Sequence, residues 1–263
     1  MENFKFKKKF GQNFLIDKNV VNKIVSDIEV KPNSLVIEIG CGSGNLTKVL
    51  CEKFDKVLGY EIDLEVKEHL YDNLKDYSNY EIIFGDFLDR DVASDIKFDY
   101  DNLYVVANLP YYITTPIIEK ITLSSLDPEL IRVMVQKEVG DRFTAKVGTR
   151  EYSSLSVFLD YHYVVKKNFV VNRNSFYPRP NVDSLIVSFY KKDSKVYVKD
   201  IDLFYGLVRD SFKYKRKNLR NNLKGYDLDV ISNVLSKYNF DLSVRAEQLS
   251  LDIFCEISNE LSI

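Results

Sequence analysis

The sequence predicts an α/β domain built on an open, mostly parallel sheet, followed by a small all-helical domain. Three observations predict it. Short, mainly apolar runs such as Leu35–Ile39, Val57–Tyr60 and Leu103–Ala107 alternate with helically patterned segments, the pattern of strands buried on both faces of a parallel sheet. The first of these runs ends in a glycine-rich turn, Gly40-Cys41-Gly42-Ser43-Gly44, that opens a helical stretch. From Ile201 onward the apolar spacing is helical throughout.

Composition narrows the class. At 263 residues the chain has room for one large domain or two smaller ones. With 45% hydrophobic and 29% charged residues it has the balance of a soluble globular protein. Net charge is −2, so affinity for a polyanion must come from local clustering of positive charge. The opening Met1-Glu2-Asn3-Phe4-Lys5 reads as no secretory signal, and no apolar run approaches the roughly 20 residues of a membrane span. Three cysteines without CxxC spacing and only two histidines argue against a disulfide framework or a zinc cluster. The expectation is a reduced, cytoplasmic protein that binds no metal and no membrane.

Before the first strand lies an arm. Lys5, Lys7, Lys8 and Lys9 precede Phe10-Gly11-Gln12-Asn13-Phe14-Leu15-Ile16-Asp17. A terminal lysine run by itself is a solubilising tail, but this one leads into tightly mixed amide and apolar residues. Gln12 and Asn13 offer donors and acceptors, and Phe14 and Leu15 can anchor the segment. Asp17 is placed to cap a helix whose Val20, Val21, Ile24, Val25 and Ile28 recur at helical spacing.

The next stretch carries ligand chemistry. Glycines at a strand-to-helix turn admit a ligand close to the backbone because no Cβ intervenes, which singles out Gly40 and Gly42. The following strand ends at Glu61, 21 residues after Gly40, where an acidic side chain can accept both hydroxyls of a ribose. That arrangement serves dinucleotide enzymes and S-adenosylmethionine-dependent methyltransferases alike. The third glycine of a dinucleotide fingerprint is absent, because Asn45 stands in its place. A third strand, Tyr80–Phe84, leads to Gly85-Asp86-Phe87, and Asp86 can accept the amine of an adenine. The fourth strand delivers Asn108-Leu109-Pro110-Tyr111 to the same edge, where open α/β sheets bind ligands. Each of these residues also has an ordinary reading as a turn or cap. Three polar side chains from three successive strands at one rim argue for a site.

In the second half, Leu130–Val135 reads as another buried strand and Gln136–Lys146 as a helix. Ser153–Tyr161 reads as helical, with His162–Val171 and Val182–Tyr190 as the closing strands of a roughly seven-stranded sheet. Ser194–Asp200 reads as a linker. The expected division is therefore 1–195, with an arm at 1–16, and a helical domain at 196–263. Within the latter, Lys213, Lys215, Arg216, Lys217, Arg220 and Lys224 give six basic residues in twelve with no acid. Such a run can be a solvated helix face. The interleaved Tyr214, Asn218 and Asn221 favour contacts to RNA phosphates, especially from Lys213, Lys215, Arg216, Lys217 and Arg220.

Taken together, these motifs resemble the small-subunit ribosomal RNA adenine N6,N6-dimethyltransferases. The resemblance rests on Phe10–Leu15, the Glu38-Ile39-Gly40-x-Gly42-x-Gly44 loop, Gly85-Asp86 and Asn108–Tyr111. It extends to Phe176-x-Pro178-x-Pro180-x-Val182-Asp183-Ser184, the Lys-Asn-Leu-Arg-Asn segment at 217–221 and Arg245-Ala246-Glu247-x-Leu249-Ser250, and so covers nearly the whole chain. The departure is Cys41, where the family often has Pro; it bears on loop stiffness rather than chemistry.

The resemblance implies a Rossmann-like class I methyltransferase fold with a small helical RNA-binding domain. It also implies an enzyme that dimethylates two adjacent adenines in a 3′-end hairpin loop of small-subunit (16S) rRNA during ribosome biogenesis. The cofactor would be S-adenosyl-L-methionine, released as S-adenosyl-L-homocysteine, and the partner an immature small subunit met by a monomer. Asn13, Leu15, Gly40, Glu61, Asp86 and Asn108 would contact the cofactor, with Gln12 and Asn13 closing over its amino-acid end. At the reacting centre, the Asn108 side-chain oxygen and a carbonyl of Leu109 or Pro110 would accept from the target amine. Tyr111 would stack on one face of the base and Phe176 on the other. Two alternatives stay open on the sequence: a large-subunit rRNA methyltransferase conferring antibiotic resistance, and a mainly non-catalytic assembly factor. A nicotinamide dehydrogenase fails on the missing glycine and leaves Asn108–Tyr111 without a purpose.

Overall fold

Seven strands form one sheet in the computed structural model, which describes residues 13–262. In chain order the elements begin with β1 (Phe14–Leu15), α1 (Lys18–Ser26), β2 (Ser34–Ile39), α2 (Asn45–Lys53), β3 (Lys56–Glu61), α3 (Lys67–Leu74) and β4 (Tyr80–Phe84). They continue through α4 (Val92–Asp95), β5 (Asn102–Asn108), α5 (Thr114–Leu123), β6 (Leu130–Gln136), α6 (Lys137–Phe143) and α7 (Ser154–His162). Next come β7 (Tyr163–Val171), β8 (Phe176–Tyr177) and β9 (Ser184–Lys191). The chain closes with α8 (Ile201–Ser211), α9 (Leu219–Asn222), α10 (Leu228–Lys237) and α11 (Leu251–Leu261).

The large sheet has the order β4-β3-β2-β5-β6-β9-β7. Four successive pairs, from β4 to β6, are parallel, and β9 runs antiparallel to β6. This is the mostly parallel α/β sheet that the alternating pattern predicts. The chain moves outward from β2 through β3 to β4, then returns to place β5 on the other side of β2. That reversal makes the carboxyl ends of β2 and β5 the switch point of the sheet, where an open α/β fold has its crevice. Every residue of β2 is buried, and the only charged one is Glu38.

Two polar devices position the elements around the crevice. Asp17 caps α1 by accepting from the backbone N–H groups of Asn19 (3.0 Å) and Val20 (3.4 Å), and the helix buries Val21, Ile24 and Val25. Arg132, only 1% exposed in β6, donates to Ser188 Oγ and to the Ile24 carbonyl, both at 2.9 Å, and pairs with Asp27. Its charge is therefore satisfied within the fold, as burial of a guanidinium requires.

The chain divides into two units: one runs to Gly140 and takes in Lys166–Lys191, while the other comprises Asp141–Val165 and Lys192 onward. The boundary differs from the sequence-based division at 195. Residues 141–165 belong with the C-terminal helices, since Tyr152, Val157 and Tyr161 share one core with Phe204, Leu207, Leu219, Ile231, Leu235 and Phe254. The apolar stripe of α7 was legible, but no local signal says which surface covers it. After α8, the described residues contain helices and turns and no strand, as expected. Among the described residues, no helix is long and apolar enough to cross a membrane.

Candidate active site

The crevice is walled by residues from the arm, the glycine turn, the end of β3 and the end of β5. Asn13, Leu15, Gly40, Gly42, Glu61, Asn108, Leu109, Pro110 and Tyr111 all line it. Sequence reasoning named all of these; it gave no task to Glu38 or Asn45, which line it too.

The turn is shaped by main-chain demands. Gly40 and Gly42 have φ of 81° and 54°, in the left-handed region where a side chain is strained. A Cβ at Gly42 would also lie 2.9 Å from the Phe14 ring. The Gly40 and Cys41 N–H groups both donate to the Tyr60 carbonyl, at 2.8 and 3.3 Å. The second of these bonds is one that Pro at that position could not make.

Glu61 holds the turn in place. One carboxylate oxygen accepts from Gly42 N–H at 2.7 Å and the other from Asp63 N–H at 2.8 Å. Burial raises its pKa, and these backbone donors oppose the shift. Each oxygen retains a lone pair, so Glu61 can still accept from a ligand hydroxyl.

Glu38 is the unexpected member. It is 1% exposed, and its Oε2 has no hydrogen-bond partner. Burial, with the Glu61 charge adding to it, pushes its carboxyl up to about 8. A lone buried carboxylate oxygen in a cleft wall suits a cation, which is what a sulfonium and an ammonium on one small molecule provide. The residues present therefore fit S-adenosylmethionine.

At the other wall, the Asn108 side chain donates through Nδ2 to the Asn13 carbonyl at 3.3 Å. A carbonyl can only accept, so this bond settles which end of the amide faces the arm. Asn108 Oδ1 is left with no hydrogen bond among the described residues. Of the two neighbouring carbonyls, Pro110 O already accepts from Ile113 N–H (3.3 Å) and Thr114 Oγ1 (3.2 Å). Leu109 N–H is bound to Met134 O at 3.2 Å, while the Leu109 carbonyl accepts nothing among the described residues. The available acceptors are thus Asn108 Oδ1 and Leu109 O. Tyr111 is half-buried, and its hydroxyl meets Ser184 Oγ at 2.8 Å.

Two expected site residues lie outside these walls. Phe176 is 3% exposed, pairs with Leu15 across β1 and β8, and packs in the core with Leu15, Val21 and Ile186. It does not line the crevice, so in this structure it has no face to offer a base. In a two-stranded ribbon alternate residues point to opposite sides, and the inward position falls to Phe176 while Tyr177 is 53% exposed. Asp86 stands beyond β4 but is not among the crevice walls; its Oδ1 caps the following turn by accepting from Leu88 N–H at 2.9 Å. Gln12 lies outside the described residues.

With the geometry in view, comparison with known proteins is decisive. The family model for ribosomal RNA adenine dimethylases matches residues 3–262. The chain belongs to this family. Relatives named ribosomal RNA small subunit methyltransferase A, from Bacillus mycoides (strain KBAB4) and Bacillus cereus (strain B4264), are 43% and 42% identical over 268 residues. Each alignment covers 98% of this chain and 92% of the relative. A solved dimethyladenosine transferase from Plasmodium falciparum matches with a TM-score of 0.78 at 27% identity, over 92% of this chain and 95% of that one. The 23S rRNA methyltransferase ErmE shares the fold, with a TM-score of 0.76 at 22% identity over 95% of this chain and all of that one. This rRNA adenine dimethylase is an S-adenosylmethionine-dependent methyltransferase acting on adenine in ribosomal RNA.

The basic segment belongs to the second unit. Lys213, Lys215, Arg216 and Lys217 lie in the exposed turn between α8 and α9, and Arg220 is exposed in α9. They are anchored by buried Leu219 and Leu223 and by Asn222, which donates to Ser211 O at 2.7 Å. No salt bridge neutralises Lys213, Lys215, Arg216 or Lys217 among the described residues.

Proposed function

We propose that the crevice at the carboxyl ends of β2 and β5 binds S-adenosylmethionine and serves methyl transfer to adenine N6 in small-subunit rRNA. The products are N6,N6-dimethyladenosines at two adjacent adenines of a 3′-end hairpin loop, with one S-adenosylhomocysteine and one proton released for each methyl transferred. The observation that carries this reading is the pair of unoccupied acceptors, Asn108 Oδ1 and Leu109 O, beside the glycine turn.

The adenine amine is a poor nucleophile because its lone pair is delocalised into the ring. Two acceptors aimed at its two N–H bonds favour a pyramidal nitrogen and return the lone pair. They also stabilise the positive charge that develops there, by electrostatic preorganisation and without a strong base. S-adenosylmethionine supplies an electrophilic methyl on sulfonium. Around it, Glu61 accepts from the ribose hydroxyls, Asp86, just beyond the crevice walls, keeps its second oxygen for the adenine amine, and Gly40 and Gly42 allow close approach. Asn13 and Leu15 cover the amino-acid end, near the Glu38 carboxyl. Tyr111 stacks on the target base, a contact worth about 1–3 kcal/mol. The exposed lysines and arginines of 213–220 bind RNA phosphates.

The small-subunit target is supported by the names of the relatives at 42–43% identity. In this reading the enzyme works in the cytoplasm as a monomer on an immature subunit. The test is mass spectrometry of small-subunit and large-subunit RNA after incubation of each purified subunit with enzyme and S-adenosylmethionine. N6,N6-dimethyladenine in the small-subunit 3′ hairpin is the expected result. Product confined to large-subunit RNA overturns the proposal.

A further inference from the structure

The residue that breaks the dinucleotide fingerprint has a task of its own. Asn45 opens α2, and the preceding Gly44 brings no side chain to cap the helix. The Asn45 side chain turns elsewhere: Nδ2 donates to the Leu15 carbonyl at 2.9 Å. Asn108, across the crevice, donates to the Asn13 carbonyl at 3.3 Å. Carbonyls two residues apart on an extended strand point to the same edge. The opposite edge of the strand is held by β8, in the register Phe14↔Tyr177 and Leu15↔Phe176. The arm strand thus has a real strand along one edge and two asparagine side chains along the other.

We propose that Asn45 is a positioning residue for methyl-donor binding: with Asn108 it latches the Asn13–Leu15 strand as a wall of the crevice. This rests on the reading that the crevice holds S-adenosylmethionine. Three features support it. β1 is only two residues long, so its own ladder holds it weakly. Asn45 and Asn108 come from opposite sides of the switch point, so the strand is latched at both. The latch also fixes the Asn108 amide, since losing the strand removes the carbonyl that orients Oδ1.

Calorimetric binding of S-adenosylhomocysteine, with steady-state kinetics, tests this on the full chain. The variants are Asn45→Ala, Asn45→Asp and Glu61→Gln. Losing one hydrogen bond predicts a five- to tenfold weaker Kd for Asn45→Ala, as an order-of-magnitude figure. Asn45→Asp, of the same size but presenting an acceptor to the Leu15 carbonyl, loses more. The effect falls on the KM for S-adenosylmethionine more than on kcat, and amide exchange at Leu15 and Ile16 accelerates. A purely structural role in α2 instead lowers Tm and leaves Kd and KM in place. Kd and KM within twofold of the parent in both Asn45 variants, with Glu61→Gln weakened, overturns the latch alone. If Glu61→Gln also binds as the parent does, the crevice reading fails, and the latch fails with it.

Discussion

Asn108 donates its side-chain amide to the main-chain carbonyl of Asn13, 95 residues away in sequence, at 3.3 Å. Asn108, the proposed acceptor for the target amine, is therefore oriented by the arm strand. With Nδ2 occupied, Oδ1 is the free end. Asn108→Ala removes both the acceptor and the tie to the arm. Loss of a preorganised group of this kind lowers kcat by roughly 100- to 1,000-fold, while S-adenosylhomocysteine binding stays measurable. Single-turnover methyl transfer and calorimetry separate the two effects. Near-normal turnover in this variant rules out the acceptor model.

Glu61 and the glycine turn form one unit, because the carboxylate accepts from Gly42 N–H and Asp63 N–H. Glu61→Gln keeps the shape but turns an amide NH2 toward one of those donors. Leaving a buried donor unpaired costs about 1–3 kcal/mol. Both Tm and S-adenosylhomocysteine affinity should fall, affinity by about tenfold or more. A variant that loses neither shows that the carboxylate is dispensable to the turn.

Glu38 gives the protein a pH dependence with a definite sign. Its ordinary value is 4.5, and in the fold burial raises it to about 8. Between these values the folded chain keeps a proton that the unfolded chain has lost. Stability from this group is full below about pH 4.5 and declines as pH rises toward 8, by on the order of a few kcal/mol at most. Glu38→Gln should flatten the fall in Tm between pH 5 and pH 8.5. If the cationic donor binds beside Glu38 as proposed, it lowers the Glu38 pKa, and binding near pH 7 releases protons. Calorimetry in buffers of different ionisation enthalpy reads that release, and its persistence in Glu38→Gln assigns it elsewhere.

The sheet and most of the crevice were legible because their signals are local. Apolar runs ending in Gly40, Glu61 and Asn108 place those residues at strand ends, and strand ends meet at the switch point. What was not legible depends on distant partners. Nothing near Asn45 points to Leu15, and nothing near Glu38 says that one of its oxygens lacks a partner. Gly59 is similar: a Cβ there would sit 2.5 Å from Cys41 Sγ and Ile82 Cδ1, a constraint visible only once β3 lies beside the turn. That Phe176 faces inward and Tyr177 outward follows from a two-residue pairing with β1, too short to leave a periodicity.

That placement can be measured. Phe176→Ala empties a core position, a change that typically costs about 3–5 kcal/mol, so Tm should drop sharply. Tyr177→Ala removes a half-exposed ring and should lower Tm much less. If Phe176→Ala leaves Tm in place and impairs RNA methylation selectively, the ring serves the base and the core role is wrong.

The basic turn between α8 and α9 makes a prediction in salt. Lys215, Arg216 and Arg220 are exposed, and replacing all three with Gln should disturb stability little, since surface changes usually stay within about 0.5 kcal/mol each. Every RNA phosphate that the protein no longer neutralises should reduce the slope of log K against log salt by roughly 0.7–0.9, so the triple variant should shed about two units of slope or more. Affinity for the RNA should fall most at low salt and converge with the parent at high salt. Fluorescence anisotropy with a labelled 3′-hairpin RNA across a salt series gives both numbers. Weaker binding with an unchanged slope means that these side chains do not act through charge, and the RNA phosphates are then held by a different surface.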